Sequence, residues 1–76
     1  MCRNIKRLYN FDPPVTPDEI QDASLQFIRK ISGYTQPSKA NEDAFQLAVE
    51  DVSKAVQTLL NSLVTNAPPL VREIET

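Results

Sequence analysis

Cys2 is the only cysteine in the chain and is followed directly by Arg3. Removal of Met1 would leave a free α-amine beside a thiol, with a guanidinium close enough to favour thiolate, an arrangement suited to nucleophilic or redox chemistry. The competing role for a lone cysteine is that of a small, partly buried apolar side chain, and that is the expectation for Cys2. The chain contains no histidine, so Ser-His triads, Cys-His pairs and the usual zinc sites lack an essential member. Catalysis is therefore not the expected function, and no cofactor is implied.

A second constellation surrounds Gly33, the only glycine. Arg29 and Lys30 precede it, and Ser38, Lys39 and Asn41 follow within one short connection. If Ser38 begins a helix, that helix's free N–H groups, the Ser38 hydroxyl and the Lys39 ammonium could converge with Arg29 or Lys30 on an anion or an acidic partner. The alternative is a capped helix end, in which Ser38 or Asn41 accepts those N–H groups and Glu42 with Asp43 complements the dipole. A third cluster, Arg3, Lys6 and Arg7, makes the first eleven residues purely basic. Together with the Arg29–Lys39 region it makes a nucleic-acid-binding module the runner-up reading. The net charge of −2 and the absence of a continuous basic face argue against it, because affinity for phosphate backbones needs several cations together. Asp18-Glu19, Glu42-Asp43 and Glu50-Asp51 read as solvated helix faces, and no metal site is expected.

The elements that must position these residues follow from periodicity. Phe45, Ala48, Val49, Val52, Ala55, Val56, Leu59, Leu60 and Leu63 recur at offsets of three and four, which predicts an amphipathic helix over about 41–65. Thr16-Pro17-Asp18-Glu19 is a capping box with proline at the first helical position, flanked by Val15 and Ile20 as a hydrophobic staple. The helix it starts runs over about 17–32 and stops at Gly33, which suits a left-handed C′ position. The short connection makes the two helices antiparallel neighbours. Their lengths, about 24 and 37 Å at 1.5 Å per residue, leave the Leu59–Val64 end overhanging. Cys2, Ile5, Leu8 and Tyr9 are spaced for a short first helix, which Asp12-Pro13-Pro14 would end and return to cover that overhang.

The expected fold is thus an all-α, compact three-helix domain over 1–66, with an irregular Pro-Pro-led tail over 67–76. Met1-Cys2-Arg3-Asn4-Ile5, Asn10-Phe11 with Pro13-Pro14, Arg29-Lys30-Ile31-Ser32-Gly33, Pro37-Ser38-Lys39-Ala40-Asn41 and Asn66-Ala67-Pro68-Pro69 together resemble domain-of-unknown-function family 2277. The resemblance spans nearly the whole chain and implies a small, uncharacterised, mainly bacterial protein without an established activity. The expected function is a small helical binding or interaction module, with an unknown protein or acidic ligand as partner. A second copy of the chain is the alternative partner, because so short a chain gains stability by association. No apolar run is long enough to span a membrane and no signal core is present, so a cytoplasmic location is expected.

Overall fold

The computed structural model describes residues 5–72. In chain order these form a short strand β1 (Phe11–Asp12), helix α1 (Pro17–Ser32), a 3-10 turn (Lys39–Asn41), helix α2 (Glu42–Ser62) and strand β2 (Leu70–Val71). The architecture is a helical hairpin carrying a two-stranded parallel sheet, which corrects the expectation of an all-α three-helix domain.

Helix α1 starts and stops where local chemistry dictates. The Glu19 N–H donates to Thr16 Oγ1 at 3.3 Å, and the Thr16 N–H donates back to Glu19 Oε1 at 2.8 Å, so two orphan donors of the first turn are satisfied reciprocally. At the other end Gly33 adopts φ +79° and its N–H reaches the Arg29 carbonyl at 3.0 Å, a conformation that costs glycine nothing for want of a Cβ. The early residues Pro17, Ile20 and Gln21 share a surface recess with Glu50 to Gln57 of α2, while Leu25 lies with Gln46 and Val49. The two helices therefore run antiparallel.

Their seam holds a small core. Among the described residues the buried apolar side chains are Ile20, Ile28 and Val49, with Ser24 buried on the same line of α1. Ser24 reaches this position without an unmet donor because its hydroxyl donates to the Ile20 carbonyl one turn back, at 2.8 Å. The molecule is elongated, 45 × 27 × 25 Å with a radius of gyration of 14.2 Å, against about 11 Å for a compact chain of this length.

The expected first helix is absent from the described residues. Residues 5–8 are irregular, 9–10 bend, and 11–12 form β1. A helix of nine residues has too few hydrogen bonds to offset its nucleation cost, whereas the extended course gives the backbone a partner strand. Phe11 pairs with Leu70 and Asp12 with Val71; the Leu70 N–H donates to the Asn10 carbonyl at 2.9 Å and the Arg72 N–H to the Asp12 carbonyl at 3.2 Å. The tail from 67 onward is accordingly not irregular throughout. Asn10 sits at φ 65°, a left-handed geometry that asparagine tolerates better than most residues, and its Nδ2 donates to the carbonyls of Ala67 and Pro68 at 3.4 and 3.3 Å.

Helix α2 is also shorter than the apolar spacing predicts. It ends at Ser62, and Leu63 is already extended at φ −73°, ψ 142°. Twenty-one residues span about 31 Å, so the overhang beyond α1 shrinks but persists.

Candidate interaction surface

The overhang and the irregular N-terminal segment bound an open groove of about 420 Å³. Ala23 and Phe27 of α1 form one wall. Val52, Val56, Leu59 and Leu60 of α2, with Leu63 just beyond it, form the other, and Ile5, Leu8 and Tyr9 close one end. The predicted meeting of Ile5 and Leu8 with Leu59 and Leu63 at one place is observed, but the cover is incomplete: Leu59 remains 53% exposed, Leu63 42% and Phe27 39%. Phe11 does not join them. It lines a separate recess with Pro14, Val15, Ile20 and Leu60.

The groove carries one sign of charge. Among the described residues Lys6 and Arg7 stand on its lining and no carboxylate does. Arg7 is held in place: its Nε donates to the Tyr9 carbonyl at 3.2 Å and its guanidinium lies 5.9 Å from the Phe11 ring centroid, within cation–π range. Lys6 also borders a second recess that contains Glu19 and Asp22. Arg3 and Cys2 lie outside the described residues.

The residues expected to hold an anion are spread over the turn between the helices. Arg29 and Lys30 occupy the last turn of α1, Ser38 precedes the 3-10 turn, and Lys39 and Asn41 lie in it; all are exposed. Neither Ser38 nor Asn41 caps a helix with its side chain. Instead Asn41 Nδ2 donates to Ser38 Oγ at 2.9 Å, and the Asn41 N–H reaches the Ser38 carbonyl at 2.9 Å. The 3-10 turn leads into α2 without the extended residue that a side-chain cap requires: Asn41 lies at φ −109°, ψ 2°. Among the described residues no three Asp, Glu or Cys side chains converge on a point that could hold a metal.

One polar site was not legible in the sequence. The Arg72 guanidinium grips the Glu19 carboxylate with two bonds, 2.7 and 2.9 Å, and donates to the Pro14 carbonyl at 3.2 Å. The Arg72 bonds, followed by the N–H of Thr16, hold the Glu19 carboxyl down at about 2. Glu19 thus caps α1 and anchors the C-terminal strand at once. No local pattern announces a partner 53 residues away. The arrangement is structural: both carboxylate oxygens are occupied, which leaves nothing with which to move a proton.

The family model for the uncharacterized conserved proteins of domain-of-unknown-function family 2277 matches residues 1–76. The chain belongs to that family. No curated protein and no solved structure matches it. No helix among the described residues is long and apolar enough to cross a membrane.

Proposed function

We propose that this family member is a small cytoplasmic interaction module whose working surface is the apolar groove between α1 and the C-terminal half of α2. The observation that carries this reading is the groove itself. Its floor consists of large apolar side chains that the fold has brought together and left open, and contiguous exposed apolar surface of this kind marks binding sites. Lys6 and Arg7 on the rim would favour an occupant that carries carboxylates beside its apolar face.

The test uses anilinonaphthalene sulfonate, an apolar anion that fluoresces on leaving water. Titrated against the full chain over a range of protein dilutions, the dye should bind, and Leu59→Glu should weaken binding by about tenfold or more. Leu47→Glu, exposed on α2 outside the groove, should not. A chain that is monomeric and takes up no dye, or that loses dye equally in both variants, would refute the reading.

A second reading keeps Arg29, Lys30, Ser38, Lys39 and Asn41 as an anion or acidic-partner site. It is supported by the missing side-chain cap at the start of α2, and opposed by Glu42 and Asp43 in that helix's first turn. A phosphate-dependent rise in the unfolding midpoint at matched ionic strength, lost in Lys39→Ala, is the expected result; an unmoved midpoint removes the site. Nucleic-acid binding has weaker support, because Glu19 and Asp22 line the recess beside Lys6.

A further inference from the structure

We infer that the groove receives an amphipathic α-helix of about three turns from another protein, an assignment that rests on the groove being an interaction surface. The carboxylates of that helix flank its apolar stripe at the end that meets Lys6 and Arg7.

The shape of the groove decides the form of the occupant. One wall runs from Val52 to Leu63, about 16 Å at 1.5 Å per residue, the length of about three helical turns. Both long walls belong to helices, α1 and α2, whose backbone groups are bonded within each helix. An extended segment laid between them would find no partners for its own N–H and C=O groups, whereas a helix brings those bonds with it. The groove is also open: Phe27, Leu59 and Leu63 keep between 39% and 53% of their surface in water. Small-ligand pockets cover about 70 to 90% of what they hold, and these walls would leave one side of an apolar ligand wet. A helix asks for less, because only a stripe about 100° wide is apolar and its opposite face favours water. Docked helices meet their grooves through apolar anchors three and four residues apart. Val52, Val56, Leu59 and Leu63 present that spacing from the receiving side.

Charge decides the chemistry of the occupant. Lys6 and Arg7 lie in the segment that closes one end of the groove, and both are exposed. The ion pair among the described residues joins two other side chains, Arg72 and Glu19. Arg7 is fixed by its bond to the Tyr9 carbonyl and by the Phe11 ring, so presenting its charge costs little further rotamer freedom. A helix with Asp or Glu at that end is attracted, and one with Lys or Arg is repelled. The same rim disfavours a second copy seated groove to groove, because the cations of the two copies would be brought together.

The deciding experiment is fluorescence anisotropy of labelled peptides titrated with the full chain at about 20 and 300 mM salt. The first probe is a lactam-stapled helical peptide of about 14 residues, since a free peptide that short does not hold a helix in water. It carries leucines three and four apart with glutamates beside them. A second probe has lysine for every glutamate, and a third has prolines that break the helix. The acidic helix should bind, the lysine helix about tenfold more weakly or worse at low salt with the gap narrowing as salt rises, and the broken helix at least tenfold more weakly. Leu59→Glu should weaken the acidic helix at least tenfold, and Leu47→Glu should not. The double variant Lys6→Glu, Arg7→Glu should reverse the preference and, because both residues are exposed, keep the wild-type circular dichroism. Equal binding of the acidic and lysine helices, undiminished binding of the broken helix, or a preference that survives the charge reversal overturns the inference. So does a dimer dissociated by Leu59→Glu, because a second copy then holds the groove. Uptake of anilinonaphthalene sulfonate separates the failures. A chain that binds the dye at Leu59 but no peptide keeps the interaction surface and loses the helical occupant, while a chain that binds neither loses both.

Discussion

Truncating Leu63 to alanine distinguishes an open overhang from a closed core. Leu→Ala removes three carbon groups, worth about 2.4 kcal/mol if all were buried at 0.8 kcal/mol each. Leu63 is 42% exposed, so a little more than half of that is at stake in the single chain, about 1.4 kcal/mol. Ile20 is 2% exposed, and its truncation adds a cavity that this thin fold cannot fill, so Ile20→Ala should cost roughly 3 to 4 kcal/mol. Against a total of about 4 to 11 kcal/mol for 76 residues, the first change is tolerable and the second removes a large share of the stability. Urea unfolding followed by circular dichroism, at low and high protein concentration, reads both. At low concentration the Ile20 variant should lose at least twice as much as the Leu63 variant, with the urea slope preserved. Equal losses for the two variants at low concentration would refute the reasoning. They would mean that the residue 5–9 segment seats over Leu63 in solution and that the groove is a closed core.

Gly33→Ala should destabilise by about 1 to 2 kcal/mol through its left-handed backbone alone, since nothing lies within 4 Å of an added Cβ; Gly33→Asn should cost less, and equal midpoints for wild type and Gly33→Ala would contradict the C-cap geometry. Thr16→Ala should cost about 0.5 to 2 kcal/mol and fray the first turn of α1 in hydrogen exchange. The Glu19 carboxyl is held from 4.5 down to about 2, first by its bonds from Arg72 and then by the Thr16 N–H. Because the folded value is depressed, its contribution to stability is fully present above about pH 4.5 and is lost as the pH falls toward 2. Glu19→Gln should flatten the stability curve across that window. Arg72→Gln should raise the Glu19 value, followed by carboxyl carbon chemical shift, part of the way back toward 4.5; an unmoved titration would show that the two side chains are not paired in solution.

The two main helices were legible because their determinants are local. Thr16, Pro17 and Glu19 act within one turn, and Gly33 needs only its own backbone freedom, so the bounds of α1 follow from nearest neighbours in sequence. The apolar stripe of α2 likewise follows from the 3.6-residue repeat, whereas the exposure of Leu59 and Leu63 does not, because the expected first helix would have covered them. The ends of α2 were less well defined. Ser38 and Asn41 are both good caps by residue type, yet the chain enters α2 through a 3-10 turn in which they bond each other, and the choice between those geometries depends on where α1 has delivered the turn.

What only the tertiary structure decided is the course of the N-terminal segment and of the tail. Ile5, Leu8 and Tyr9 have a spacing compatible with a short helix, but so short a run cannot sustain one by itself. The balance is tipped by Leu70 and Val71, which lie at the far end of the chain and come into register only because α1 and α2 fold back on each other. Asn10 and Arg72 tie that closure with bonds across 57, 58 and 53 residues. Sequence patterns report on neighbours three or four positions apart, whereas the strand pairing and the open groove beside it arise from groups that meet only after the hairpin has formed.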